Sequence, residues 1–369
     1  MKLNTLQAAD VTEKKVFLLA DTDVPLSADG AILDDTRLCC AVPTIEYLLK
    51  HSARVIVAGK LGRPHGEFAP SLSLEPVAAW LEQKFGVWNA ETKMQKEAIG
   101  SFEGWRITPQ LFLLENIRFH REEEENNTDF AKKLASLADI YVNDAFALSH
   151  RAHASTVGVP QFLSHFAGLH LQKEVEALEG VMSNPKRPLV VIIGGAKLET
   201  KLPLVEKMHH IADFVLVGGK IAREKGELIK VQHETLEPLQ NGHKSILLVS
   251  ELNSEGTDMS DASVENFRQV IATAKTIIWN GPVGKMDELT GGGTEKGTLQ
   301  LAQAIIDSGA YSVVGGGDTL EFLQKKGLVD KFSFCSTGGG AMLSLLSGQK
   351  LPGIEALKVD SSIVLQKEF

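Results

Sequence analysis

Short aliphatic and β-branched runs alternate along this chain with longer stretches in which apolar residues recur every three or four positions. From the amino end, K-K-V-F-L-L-A-D precedes T-I-E-Y-L-L-K, and R-V-I-V-A-G precedes L-E-P-V-A-A-W-L-E-Q-K-F. Continuous apolar runs suit strands buried on both faces, and the periodic stretches suit helices packed on them. This βαβ alternation predicts a mainly parallel sheet covered on both sides. It continues through L-F-L-L-E-N and I-Y-V-N-D, reaches a helical stretch near residues 167–181 and breaks at S-N-P-K-R-P. A second series follows: L-V-V-I-I-G-G, F-V-L-V-G-G, S-I-L-L-V, T-I-I-W-N-G, Y-S-V-V-G-G and F-S-F-C-S-T-G-G-G. The chain therefore reads as α/β, with two doubly wound parallel-sheet domains, 1–168 and 185–350, joined by a helix over 169–184. The acidic run Glu122–Glu125 reads as a solvated segment before a helix capped near Thr128.

The two series end their strands differently. In the second, strand ends carry Gly194-Gly195, Gly218-Gly219, Gly281, Gly315 to Gly317 and Gly338 to Gly340. Ligands of open α/β sheets sit beyond the carboxyl ends of the strands, so this half reads as built for a phosphate-bearing ligand. The first series has few such glycines but seven of the ten arginines, so it reads as the half that binds an anionic metabolite. Arg37, Arg63, Arg118 and Arg151 fall in turns after strands or at helix starts, where the guanidinium forks share one presumed rim.

Val313 to Leu320, V-V-G-G-G-D-T-L, shows the chemistry most compactly. A strand turns through glycines into a helix whose first N–H groups lack intrahelical acceptors and whose dipole favours an anion. Asp318 either caps that helix or holds a cation between itself and a phosphate. Lys197 and Lys201, spaced i and i+4 after Gly194-Gly195, can lie on one helix face and reach one polyphosphate. The chain has no G-x-x-x-x-G-K-[ST] motif. Gly194-Gly195-Ala196-Lys197 does not extend into G-x-G-x-x-G, so P-loop kinases and dinucleotide dehydrogenases are both disfavoured.

Composition narrows the picture further. A chain of 369 residues, 43% hydrophobic, is long enough for two cores. A net charge of −9 argues against a general nucleic-acid or anionic-membrane binder. Cys39, Cys40 and Cys335 lack metal-like spacing and suit a reduced, intracellular compartment. The first residues lack the apolar core of a signal peptide, and no run reaches transmembrane length. A cytoplasmic protein is expected, without nucleic-acid or membrane partners. Monomer is the default, since no long apolar helix stripe stands out.

The motifs L-G-R-P, E-N-I-R-F-H, V-N-D-A-F, H-R-A-H-A-S, G-G-A-K, W-N-G-P-V-G, G-G-G-D-T and S-T-G-G-G-A, then L-P-G, occur in one order over nearly the whole chain. In that set and order the sequence resembles the phosphoglycerate kinases. The resemblance implies a hinge-bending, two-domain kinase that transfers a phosphoryl group reversibly between 1,3-bisphosphoglycerate and ADP, giving 3-phosphoglycerate and ATP, with Mg²⁺. It also implies that residues 351–369 return to the first domain. By the same resemblance Asp21, Asp23, Arg37, Lys60, Arg63, Arg118 and Arg151 stand on the 3-phosphoglycerate side. Lys197, Lys201, Asn280, Gly316, Gly317, Asp318 and Thr319 stand on the nucleotide side, with Asp318 the Mg²⁺ ligand. Gly194, Gly195, Gly218, Gly219 and Pro282 shape the purine and ribose pocket, and Asp287 meets the ribose. Arg37, Lys197, Lys201 and the backbone at Gly316 and Gly339 would surround the moving phosphoryl group.

Several positions depart from the family pattern: Leu19 replaces a usual Arg, Asp23 an Asn, Lys60 a His, Lys220 a Gly and Asp287 a Glu. Asp23 and Lys60 are expected to form a compensating ion pair. The departures leave two alternatives, a non-catalytic nucleotide-binding relative or a kinase acting on a different small carboxylate. The complete residue set around the phosphoryl group favours the phosphoglycerate kinase reading.

Overall fold

The computed structural model describes residues 2–86, 93–195, 198–235, 245–286 and 295–358. The chain divides into two compact units. One is Met1–Glu174 with the chain from Lys350 onward, and the other is Val175–Gln349. The division falls inside the helix Leu169–Ser183.

The first unit holds β1 (Lys15–Leu19), β2 (Arg54–Ala58), β3 (Gln95–Ile99), β4 (Phe102–Thr108), β5 (Leu111–Leu114), β6 (Ile140–Asn143) and β7 (Ser164–Ala167). Their order in the sheet is β3-β4-β5-β2-β1-β6-β7. β5, β2, β1, β6 and β7 run parallel and, apart from β7, are almost wholly buried, which is why they read as unbroken apolar runs. One edge departs from the expected parallel pattern, because β3 and β4 form an antiparallel hairpin and β4 pairs antiparallel with β5. Gln95–Ile99 is mostly polar and half exposed, so it offers no apolar run to read. Its pairing is set instead by the tight Gly100-Ser101 connection, with Gly100 at φ 58°.

The second unit holds β8 (Leu189–Ile193), β9 (Phe214–Val217), β10 (Ile246–Val249), β11 (Thr276–Asn280), β12 (Tyr311–Gly315) and β13 (Phe334–Ser336). They form one parallel sheet in the order β10-β9-β8-β11-β12-β13. The order reverses between β8 and β11, so the crossovers leave opposite faces there and open a crevice at the strand ends. The first unit reverses in the same way between β1 and β6. Trp279 on β11 is fully buried in the second core, and its indole N–H donates to Gly281 O at 2.9 Å, tying the core to the crevice loop.

The helix Leu169–Ser183 begins at Gly168, a residue with no side chain to cap it. Thr44 Oγ1 accepts from Leu169 N at 3.0 Å, and Asp144 Oδ1 accepts from His170 N at 2.8 Å and Leu171 N at 3.1 Å. Three donors that a helix start leaves unpaired are thus satisfied from elsewhere in the unit. A Cβ at Gly168 would lie 2.3 Å from Asp144 Oδ1, so the carboxylate reaches the helix only because that residue is glycine. Asp144 is 1% exposed. Burial pushes its carboxyl up to about 7, against the pull of the hydrogen bonds from Thr44 and the backbone.

A carboxyl raised from 3.8 to about 7 on folding adds stability below about pH 4 that is lost as pH rises toward 7. Asn keeps an acceptor for both amides but does not titrate. Asp144→Asn should therefore gain stability relative to the parent between pH 4 and 7, by about 1.4 kcal/mol per pH unit at most. Urea unfolding midpoints of both proteins at pH 5 and pH 7.5 measure this, and parallel pH curves would refute it.

Candidate active site

In the first unit, every residue assigned to substrate lies just past the carboxyl end of a parallel strand or at a helix start beside one. Asp21 follows β1 and is 6% exposed. Arg37, the second residue of the helix Thr36–Lys50, places Nη1 3.2 Å from Asp21 Oδ2. Burial raises the Asp21 carboxyl above its ordinary value, and Arg37 only partly opposes it. Asp21 Oδ1 also accepts from Asp23 N at 3.3 Å, which shapes the turn.

The loop after β2, which carries Arg63, is fastened residue by residue. Thr22 Oγ1 donates to Lys60 O at 3.0 Å. Asn116 Nδ2 donates to Leu61 O at 2.8 Å, Asp23 Oδ1 accepts from Gly62 N at 2.9 Å, and Arg118 Nη1 donates to Gly62 O at 2.7 Å. Arg118 is 2% exposed, and its Nε lies 3.2 Å from Glu124 Oε1. That contact has the distance of an ion pair but not hydrogen-bond geometry, so Nε adds Coulomb attraction only. Arg151 sits in the loop after β6. Its guanidinium is pulled down from its usual range by burial and then by the positive charges of Arg118 and Arg63, with Glu124 and Asp23 opposing. Arg151 is thus held within reach of the charges of Arg118 and Arg63, an arrangement that an incoming anion relieves.

The expected Asp23–Lys60 pair does not form. Lys60 Nζ instead lies 2.7 Å from Glu123 Oε1, and neither side chain is exposed. Asp23 turns to the Gly62 amide. Glu123 belongs to the acidic run that reads as solvated, and that reading is corrected too: Glu123 is fully buried in the short helix Arg121–Glu124. Residues separated by 63 positions meet because both follow strands ending at the same sheet edge, which neither local pattern reveals. Asn116, Glu123 and His153 are the site residues that the sequence reading missed. A charged residue directly behind E-N-I-R-F-H was the available signal for Glu123.

In the second unit, backbones crowd together at the β8/β11 crevice. Gly194 N donates to Asn280 O at 3.0 Å and Gly195 N to Pro282 O at 2.7 Å. A Cβ on Gly194 would lie 2.3 Å from Pro282 O, and one on Gly218 2.8 Å from Val283 Cγ1. Side chains are excluded there, and a cleft of about 600 Å³ opens beside these strand ends. Gly195, Gly219, Lys220, Pro282 and Asp318 line it. Asp318 is exposed in the first turn of the helix Gly317–Lys325, which starts at Gly316 with φ 103°. Gly339, at φ 40°, precedes the helix Gly340–Leu346.

Two nucleotide-side residues already have partners within the unit. Thr319 is fully buried, and its hydroxyl accepts from Gly281 N at 3.1 Å, so it sets the crevice loop rather than presenting a polar group to the cleft. Lys201 is 5% exposed, and its ammonium donates to both the backbone and the side-chain oxygens of Asn280. Lys197 and Asp287 lie outside the described residues. Among the described residues no group of three or more His, Cys, Asp or Glu forms a metal cage. Asp318, an exposed carboxylate in the first turn of a helix beside this cleft, still suits Mg²⁺, which keeps several waters and takes most remaining ligands from phosphates.

Among the described residues, no helix is long and apolar enough to cross a membrane. The family model for phosphoglycerate kinase matches residues 6–225 and 230–349. Cytosolic phosphoglycerate kinase 3 of Arabidopsis thaliana is 39% identical over 96% of this chain and 98% of its own length. Phosphoglycerate kinase of Prochlorococcus marinus strain MIT 9312 is 38% identical over 97% and 98%. A chloroplastic Arabidopsis thaliana enzyme is 38% identical over 95% of this chain and 81% of its own length. The solved phosphoglycerate kinase of Coxiella burnetii superposes with a TM-score of 0.79 at 33% identity, covering 96% of this chain and 99% of that one. With the fold, the motif order and the strand-end chemistry in agreement, the chain belongs to the phosphoglycerate kinase family, whose members transfer a phosphoryl group reversibly between 1,3-bisphosphoglycerate and ADP in glycolysis.

Proposed function

We propose that the first unit binds 3-phosphoglycerate or 1,3-bisphosphoglycerate and the second binds ADP or ATP, with Asp318 as the Mg²⁺ ligand. The observation that carries this reading is Arg151 held against the charges of Arg118 and Arg63 at the strand ends of the first unit, while the glycine-walled cleft lies in the second. Charges held against their own repulsion favour a multivalent anion such as a phosphate. Arg37 beside Asp21 is free to turn its remaining N–H groups to the substrate carboxylate end.

In the ATP-consuming direction the nucleophile is a carboxylate, already ionised near neutral pH, so the reaction needs no general base. What remains is positioning and charge compensation. Arg37 supplies positive charge from the first unit. Lys197, Lys201 and the outward backbone N–H groups at Gly316, Gly317 and Gly339 supply donors from the second. Lys201 works through Asn280, whose side chain it fixes. Asp287 would meet the ribose hydroxyls. Bound Mg²⁺ offsets the charge of the nucleotide phosphates. Transfer requires the two ligand sets to be brought together by hinge bending, which also excludes competing water. Cytosolic relatives support a cytoplasmic place of action, and a monomer is the working unit.

Three outcomes are expected. Asp318→Ala should lower turnover by about a hundredfold or more while leaving the fold and 3-phosphoglycerate binding intact. A coupled assay and calorimetry with 3-phosphoglycerate test it, and near-normal turnover would reduce Asp318 to a helix cap. Arg151→Ala should raise the 3-phosphoglycerate KM by roughly tenfold or more with the MgATP KM little changed, the loss of about 1.5–3 kcal/mol for a hydrogen bond to a charged group. Equal effects on both substrates would count against the assignment of units. Gly194→Ala, whose Cβ would lie 2.3 Å from Pro282 O, should do the reverse and weaken MgATP selectively. Unchanged nucleotide affinity would show that the cleft is used otherwise.

A further inference from the structure

Lys60 is the position where this chain carries a lysine in place of the family's usual histidine, and its surroundings show what its ammonium does. The ammonium has three N–H groups and three polar neighbours: Glu123 Oε1 at 2.7 Å, Thr156 Oγ1 at 3.5 Å and His153 Nδ1 at 3.1 Å, the last an acceptor in the Nε2–H tautomer. Glu123 in turn accepts from Ser155 N at 2.9 Å and Ser155 Oγ at 2.6 Å. A carboxylate with these donors around it and an amine among groups able to accept fit an ionised Glu123–Lys60 pair. Burial disfavours the Lys60 ammonium, and the Glu123 carboxylate counters it.

Three loops meet at this point. Lys60 opens the loop that carries Arg63. Glu123 follows the turn that carries Arg118. His153, Ser155 and Thr156 follow Arg151 directly. The last loop is also clasped from behind, where Gly353 N donates to Ser149 O at 2.9 Å and a Cβ on Gly353 would lie 2.7 Å from Thr156 Cγ2. Lys60 therefore bonds the loop after β2 to the loop after β6.

We propose that Lys60 is a positioning residue for the substrate-phosphate arginines: held by Glu123, its ammonium donates to His153 Nδ1, fixes that imidazole as the Nε2–H tautomer and bolts the Arg63 loop to the Arg151 loop. The proposal rests on the reading of Arg63, Arg118 and Arg151 as the phosphate site. An imidazole that accepts at Nδ1 from a cation cannot also take a proton there. Burial, then Lys60, Arg118, Arg151 and His150 push His153 down to about 3, with Glu123 Oε1 the facing anion at 3.8 Å. The His153–Glu123 approach is accordingly not an ion pair, because the imidazole is neutral. With an ammonium rather than an imidazole as the bolt, the spacing of the arginines is not tied to the titration of a histidine at position 60.

The test combines imidazole NMR on the full-length, histidine-labelled protein with kinetics. His153, assigned through His153→Gln, should show a protonated Nε2, an unprotonated Nδ1 and no titration from pH 5 to 8. The double variant Lys60→Met/Glu123→Gln removes both charges and leaves neither buried alone. In it His153 should titrate with a midpoint above 5, and the 3-phosphoglycerate KM should rise at least tenfold while the MgATP KM stays within twofold. A wild-type His153 that carries its proton on Nδ1, or titrates near 6.5, overturns the proposal. So does a double variant whose 3-phosphoglycerate KM is unchanged although Arg151→Ala raises it. If Arg151→Ala itself has no effect, the phosphate-site reading has failed, and the imidazole spectra alone uphold or overturn the Lys60–His153 lock.

Discussion

Like charges separate unless something other than their future ligand holds them, and this constraint organises the first unit. Arg63, Arg118 and Arg151 come from three different loops, and the charges of Arg118 and Arg63 weaken the hold of Arg151 on its proton, which an anion would restore. The loops do not drift apart because their backbones are fastened where a ligand cannot reach. Asn116, Asp23 and Arg118 itself bond the peptide groups of Leu61 and Gly62. Behind them lies the fully buried Lys60–Glu123 pair. A buried ion pair adds little net stability against a well-packed apolar replacement, but removal of one partner leaves an unpaired charge. Its value here is geometric.

The second unit has a different feature, an open cleft beside the strand ends of its sheet. Backbones approach there more closely than any side chain permits. Gly194 and Gly195 bond to Asn280 and Pro282 across the point where the strand order reverses. Thr319 and Trp279 hold Gly281 from its N–H and its carbonyl. The crevice is thus built from fixed peptide groups, with Lys201 spending its charge on Asn280. Preorganised dipoles of this kind suit a reaction in which charge compensation is the main task.

Between the two strand arrays, the helix Leu169–Ser183 starts on borrowed caps from Thr44 and Asp144. Asp144 lies in V-N-D-A-F, next to the strand end at which the first sheet reverses. The carboxylate therefore joins the sheet end to the helix start, and Gly168 provides the room.

The sequence by itself determined the α/β class, the two strand arrays, the buried parallel strands and the contrast between glycine ends and arginine ends. Those follow from periodicity and local turn chemistry, which act over a few residues. The motif order carried the family as well. Only the tertiary structure decided which charges pair. It joined Lys60 to Glu123 instead of Asp23, turned Thr319 inward to Gly281, buried a glutamate from an acidic run and paired a polar segment as β3. All but the last, which a tight turn sets, depend on which strand ends become neighbours. Strand order is settled by packing across the whole sheet, and no stretch of sequence carries it alone.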